Sequence, residues 1–269
     1  MRLRLVAAAA VLPVAFGTAR AQTLPAAGPP SPPAPAPADS APHRLPVDTS
    51  RMHPVHLVYA LNVTQDSTAR PLGELRVDVD ESTYAGAPAW LLTRAGQRGV
   101  QAIVESLYVA RADLRPLHWS AAQGLARLAV EFTGDSIFGA MTSPLGKRNI
   151  VLAGRRDLLA SAGAVDAMLA TLPLVPGWHD SASVMVVDPG GSTIAPATLV
   201  VEGEELVTAP AGSFDCWIVS LATERGTERL WVRKTDGVVV RSEQRLPQLP
   251  GGGAVLERVL ETSPTPGAP

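Results

Sequence analysis

The chain has 269 residues, 46% of them hydrophobic and only 18% charged, and its 23 Lys+Arg against 25 Asp+Glu leave a net charge of -2. That balance lacks the surplus of basic charge that displaces counterions from a phosphate backbone, so nucleic acid is excluded as an expected partner. One cysteine excludes an intramolecular disulfide framework and any cysteine-cluster metal site, and 25 prolines with 23 glycines imply many turns.

Residues 1–21 have the three parts of a secretory signal: Arg2 and Arg4, an apolar run from Leu5 to Phe16, and the small-residue site Ala19-Arg20-Ala21. Cleavage after Ala21 is expected, which predicts a periplasmic or secreted protein. The apolar run is too short for the roughly 20 residues of a membrane-spanning helix, so no integral span is expected after cleavage. No cysteine follows the signal to carry a lipid. Residues 22–46 read as a disordered, proline-rich linker, with nine prolines between Leu24 and Pro46 and almost no branched apolar residues. Such a segment favours extended polyproline II and cannot build a core. Residues 263–269 read as a similar tail.

Between them, 47–262 reads as one β-rich domain. Leu57–Thr64, Leu75–Asp80 and Leu125–Phe132 have strand length, and Val77 and Val79 alternate with Arg76, Asp78 and Asp80 in period two, as in a sheet with one wet face. Further strands are predicted at Ala89–Arg94, Ile103–Ala110, Leu117–Ala121, Arg148–Leu152, Ser183–Val187 and Thr198–Val201. In Asp157–Leu172 the apolar residues Leu158, Ala162, Val165, Leu169 and Leu172 recur at helical steps and Pro173 ends the run, which predicts one amphipathic helix laid on the sheet. The stiff apolar stretch from Pro173 to Trp178 predicts a lip beside it. Four runs close the domain: Phe214–Ala222, Arg229–Lys234, Val238–Leu246 and Ala254–Glu261. Asp236-Gly237 between two of them predicts a two-residue hairpin turn.

Catalytic and metal chemistry find little support. His53 and His56 flank a proline at the entry to a strand, where residues three apart point to opposite faces, so joint metal ligation is geometrically poor. His179 in the lip is read as a solvated histidine. No G-x-S-x-G elbow and no phosphate-cradling G-x-x-x-x-G-K occurs, and Cys216, mid-strand between aromatic residues, is read as a buried, inert thiol. Arg229, Trp231 and Arg233 share one strand face, and Arg241, Glu243 and Arg245 share one face of the next. They form either cross-strand Arg and Glu pairs on a solvated face or a basic strip around Trp231 that docks an anionic head group.

The run Pro210-Ala-Gly-Ser-Phe-Asp-Cys-Trp217, then Leu230-Trp-Val-Arg233, Val239-Val-Arg-Ser-Glu243 and Leu256-Glu-Arg-Val-Leu260, resembles bacterial secreted proteins of domain-of-unknown-function family 3108. So does the helix with Leu172-Pro173-Leu174. The resemblance covers about residues 55 to 261. It implies a fold similar to the lipoprotein-carrier half-barrels of the LolA and LolB type, in which a curved antiparallel sheet wraps a helix and shelters an acyl chain. It transfers no catalytic residue and no cofactor, and the LolB-type lipid-anchoring cysteine is missing.

The expected fold is therefore mainly β: an open or half barrel with one amphipathic helix on its concave side. The expected function is that of an exported, non-enzymatic binding protein of the cell envelope that holds a hydrophobic small molecule or lipid between helix and sheet. Leu158, Val165, Met168, Leu169 and Leu172 would line the helix side, and Trp178, Trp231 and Arg233 complete the candidate set; the helix residues serve equally well as plain core. The alternative is a structural or interaction module that contacts envelope proteins through sheet edges and the proline-rich arm.

Overall fold

The computed structural model describes residues 44–65, 67–98, 101–159, 164–188, 191–246 and 253–262. The expected signal, most of the arm and the tail lie outside them. Eight strands run first as a meander: β1 (Val55–Gln65), β2 (Thr68–Tyr84), β3 (Ala87–Arg98), β4 (Gln101–Ala110), β5 (Pro116–Gln123), β6 (Ala126–Phe132), β7 (Ser136–Ser143) and β8 (Gly146–Ala153). A two-residue strand β9 (Leu158–Leu159) and one helical turn α1 (Val165–Met168) follow, the turn continuing as 3-10 helix over Leu169–Thr171. A second meander completes the domain: β10 (His179–Asp188), β11 (Gly191–Ala209), β12 (Gly212–Thr223), β13 (Gly226–Arg233), β14 (Val239–Leu246) and β15 (Ala254–Thr262). β15 pairs with β1, which fuses the meanders into one 15-stranded sheet running from β8 through β1 and β15 to β9. Every pairing is antiparallel except β9 with β10.

Connectivity makes this sheet curl. Laid flat at about 4.8 Å per strand, it would be about 67 Å wide. Its two edges, β8 and β9, are separated only by residues 154–157, which span at most about 18 Å. The sheet wraps round until Cα atoms of β8 come within 8 Å of β11. β8 and β9 nevertheless remain at opposite ends of the hydrogen-bonded order, so the barrel stays open along one seam. This is the open or half barrel expected from the sequence.

The inner face is set by period-two alternation. Leu57, Tyr59 and Leu61 on β1 and Leu75, Val77 and Val79 on β2 are all buried, while Arg76 between them is exposed. The Tyr59 hydroxyl donates to the Val239 carbonyl at 2.9 Å, tying β1 to the start of β14. All the predicted strands appear, most of them longer than predicted, and β7 is an addition. It carries Gly139, where a Cβ would lie 2.1 Å from the Ala129 carbonyl oxygen, and its mixed composition hides the strand from periodicity alone.

Two local expectations are corrected. The helix is one turn rather than the whole of Asp157–Leu172. Its first residues are drawn into the sheet: Leu158 and Leu159 pair with Ser183 and Val184, the Ser183 amide donates to the Asp157 carbonyl at 3.0 Å, and the Ser183 hydroxyl donates to the Asp157 carboxylate at 2.6 Å. Ala162 lies outside the described residues. A short helix has little stability of its own, so backbone bonds to a waiting strand win. Asp236-Gly237 also does not form the predicted two-residue turn: the loop covers residues 234–238 and only Gly237 has positive φ, at +73. The Asp236 carboxylate instead accepts from the Val238 amide and from Arg233. Gly237 is required there by close approach as well, because a Cβ would sit 2.1 Å from the Ala170 Cα.

Candidate functional site

The centre of the concave side is filled. Val165, Leu169 and Leu172 are buried against the inner sheet in one core cluster with Leu199, Val219 and Leu230. Between α1 and the inner sheet lie two small voids, of about 40 Å³ beside Tyr59, Val79 and Ala170 and about 10 Å³ beside Leu92 and Leu107. The larger has room for about three waters and the smaller for one at most. The expected acyl site between helix and sheet is thus occupied by the helix residues themselves.

A buried charge pair pins that helix turn. Asp166 of α1 meets Arg258 of β15, with side chains 10% and 5% exposed, and Glu228 of β13 lies 4.0 Å from the same guanidinium. Burial alone would raise the Asp166 carboxyl, but the Arg258 charge and hydrogen bond override it and hold the carboxyl below its usual range. Burial pushes Glu228 up, opposed by Arg258 and by a hydrogen bond with Ser242. The Arg258 guanidinium also stands 4.8 Å above the Tyr59 ring. Sequence reading missed this cluster because its members come from α1, β1, β13 and β15 and no local pattern joins them.

A wide hollow of about 760 Å³, open to solvent, lies on the outer face over Ala60, Gly73, Arg76, Gly96 and Val104, and more enclosed space lies by the β8–β9 connection at the seam. Two neighbouring cavities of about 300 and 290 Å³ share Arg44, Asp113, Arg115, Arg156 and Leu158 as lining. The first reaches inward over Leu45, Val47, Leu114, Leu158, Leu159 and Met168; the second lies over Phe132, Asp135, Ile137 and Arg155. Their walls are the segment before β1, the β4–β5 and β6–β7 loops and the β8–β9 connection. Each is at the lower bound of the usual small-molecule range. The rim is charged. Arg44 donates to Asp113 at 3.2 Å, Arg115 stands 3.7 Å from the same carboxylate, and Arg155 bonds Asp157 at 3.0 Å. Burial would raise Asp157, but its bonds from Arg155 and Ser183 hold the carboxyl below the usual range, and the same pairing raises Arg155.

Of the candidate residues, Leu158 and Met168 therefore line the cleft, whereas Val165, Leu169 and Leu172 belong to the core. Trp178 is half-buried against that core, its carbonyl accepting from the Val201 amide at 2.8 Å, and does not line the cleft. Trp231 and Arg233 alternate with Leu230 and Val232, which join the core of α1, and so point to the opposite face of the sheet. Trp231 is only 4% exposed, donates from Nε1 to Glu205 at 2.8 Å and lies between the guanidiniums of Arg229 and Arg241, 5.3 and 4.9 Å from its ring. Arg229 pairs with Glu202, Arg241 with Glu257, and Arg233 is held by both oxygens of Asp236. These contacts are of the kind the cross-strand pairing alternative describes. The eight candidates are thus split between two faces.

Elsewhere, Cys216 is fully buried and burial pushes its thiol up to about 11. His56 bonds Asp78 at 2.9 Å on an exposed face, His53 and His179 bond nearby backbone carbonyls, and no group of three metal-ligating side chains occurs among the described residues. On the outer face Glu131 bridges the Tyr84 hydroxyl at 2.6 Å and His118 Nδ1 at 2.8 Å, and that hydrogen bond, with burial, pushes the Tyr84 phenol up to about 12. Among the described residues no helix is long and apolar enough to cross a membrane.

With this geometry established, the sequence matches the family described as protein of unknown function (DUF3108) over residues 59–248. The chain belongs to the DUF3108 family. This bears out the resemblance carried by the P-A-G-x-F-D and L-W-V-R runs of the second meander. No curated protein matches the chain. Among solved structures, this DUF3108 chain is similar to a β-barrel-like protein of domain of unknown function DUF1849 from Brucella abortus, at 9% identity, TM-score 0.49, over 81% of this chain and 97% of that one. It is more loosely similar to the hypothetical lipoprotein YmcC from Escherichia coli, at 14% identity, TM-score 0.34, over 80% of this chain and 87% of that one.

Proposed function

We propose that this protein is an exported, non-enzymatic binding protein of the cell envelope that takes an apolar or lipid-like molecule into the cleft at the barrel seam. The observation that carries this reading is the cavity of about 300 Å³ floored by Leu114, Leu158, Leu159 and Met168, beside the edge strand β9 and the segment that ties the two sheet edges together. Concave, mostly apolar sites with a few polar groups at the rim are the usual form of small-molecule pockets. Export rests on the signal-like residues 1–21. The non-enzymatic part of the reading is supported by the single thiol, buried with its pKa raised, and by the four described histidines, which stand on or beside three different strands, each bonded to a carboxylate or a backbone carbonyl. Mass spectrometry of an organic extract, taken from the mature chain purified without detergent from an exporting host, tests the reading. A stoichiometric lipid or other apolar molecule is expected, and an empty extract from intact folded protein overturns it.

One feature favours the second reading, an envelope interaction module. Phe138 and Val151 are neighbours on the outer face, 47% and 78% exposed, and Val151 belongs to the free edge strand β8. Exposed apolar residues beside an unpaired edge are the pattern of β-augmentation sites.

A further inference from the structure

We infer that the ligand of the seam cleft is an anionic amphiphile, whose single negative group is received by Arg156 while its apolar part lies on Leu114, Leu158, Leu159 and Met168. This rests on the binding reading above and specifies its ligand class. Charge decides it. The two cavities are lined by four arginines, Arg44, Arg115, Arg155 and Arg156, and by three aspartates, Asp113, Asp135 and Asp157. Asp113 is taken by Arg44 and Arg115, and Asp157 by Arg155 and Ser183. Arg156, which lines both cavities, has no carboxylate within ion-pair distance among the described residues, and because Arg44 and Arg115 share the single carboxylate of Asp113, the four arginines outnumber the three aspartates by one.

Position follows from Asp135. It lines only the second cavity and has no basic partner within ion-pair distance among the described residues, so that side repels an anion. The negative group therefore sits at the wall common to both cavities, where Arg156 faces it and Arg44 and Arg115 add donors. The remaining volume lies inward, over the apolar floor of the first cavity. A guanidinium recognises a carboxylate and a phosphate monoester alike through paired N–H donors, so the shared chemistry is a compact oxyanion on a hydrocarbon chain. A quaternary ammonium would be repelled, and a neutral alcohol would leave the Arg156 charge unanswered.

The test is isothermal titration of the mature protein with four probes carrying the same hydrocarbon chain: decanoate, decyl phosphate, decanol and decyltrimethylammonium. The anionic pair is expected to bind at least about tenfold more tightly than decanol, the scale of a charge-assisted hydrogen bond, and the cationic probe not at all. Arg156→Gln, at an exposed position, is expected to lower the affinity for both anions about tenfold and leave decanol unchanged. Arg70→Gln, which removes an exposed charge outside the cleft, is expected to change none of the four. Equal binding of decanoate and decanol, or an Arg156→Gln variant that still prefers the anions, overturns the anionic assignment while the apolar cleft stands. Failure of all four probes overturns the binding reading itself. Within a positive result, tighter decyl phosphate points to a phospholipid head group as the natural source and tighter decanoate to a free fatty acid.

Discussion

Asp166→Ala removes one half of the only link between α1 and β15 that carries charge, and its cost can be worked from the geometry. Arg258 is 5% exposed, so without Asp166 it keeps its charge in a site where water cannot replace the lost carboxylate. Removing one partner of a buried ion pair costs about 3 to 5 kcal/mol. The lower end applies here, because Glu228 stands 4.0 Å from the guanidinium and takes up part of the charge. A loss of about 3 kcal/mol is a large part of the total stability of an ordinary domain. Urea unfolding followed by tryptophan fluorescence at pH 7 measures it, and a companion variant carrying Asp166→Ala, Arg258→Met and Glu228→Gln together should recover most of the loss, since no member of the charged cluster is then left unpaired. The pH dependence has a definite sign. Asp166 titrates below its unfolded value, so the pair contributes fully above the ordinary carboxylate range and its contribution disappears as pH falls through the lowered folded value. The gap between wild type and Asp166→Ala should therefore shrink in acid. A single variant within about 1 kcal/mol of wild type at pH 7, or a triple variant as unstable as the single one, would refute the account of α1 as charge-pinned.

Glu228 should behave with the opposite sign. Its folded carboxyl is raised, so it binds its proton more readily folded than unfolded and costs stability as pH rises past the ordinary value; Glu228→Gln is expected to gain on wild type between pH 4 and pH 7, and thermal melts showing a loss with rising pH would contradict this. Leu169→Ala, at a 0% exposed position facing the inner sheet, should lose about 2 to 5 kcal/mol in urea unfolding yet bind decanoate normally while folded, because the residue is core and not cleft. A loss of binding without a loss of stability would return Leu169 to the site. Cys216 should resist a thiol reagent in native protein at pH 8 and react promptly once unfolded, as a buried thiol raised to about 11 requires; fast native labelling would show that the outer apolar cluster opens.

Local structure is legible in the sequence where burial follows a short period. Val77 and Val79 alternate with charged neighbours because one face of β2 is core and the other is wet, and that relation needs only the chain itself. The second meander was legible for the same reason, as were the buried Cys216 and the family carried by its Pro210–Trp217 run. Periodicity misled where two structures bury the same residues. The apolar positions of Asp157–Leu172 are buried as a helix stripe requires, but Leu158 and Leu159 reach burial through a β-bridge to β10. Likewise Trp231 and Arg233 were correctly placed on one face, but which face that was depended on the neighbouring strands.

Sequence by itself determined most of the strands, their alternation and the class of fold, because these are properties of neighbouring residues. Only the tertiary structure decided that fifteen strands wrap until β8 nears β11 without closing, that the helix fills the concave side, and that an apolar-floored cleft lies by the β8–β9 connection. Arg44, Arg115 and Arg156 lie up to 112 residues apart in the chain, and the charge left over exists only once folding has brought them together and paired Asp113 and Asp157 with arginines. Side chains converge there because the two sheet edges are tied by four residues, a constraint that no single segment expresses.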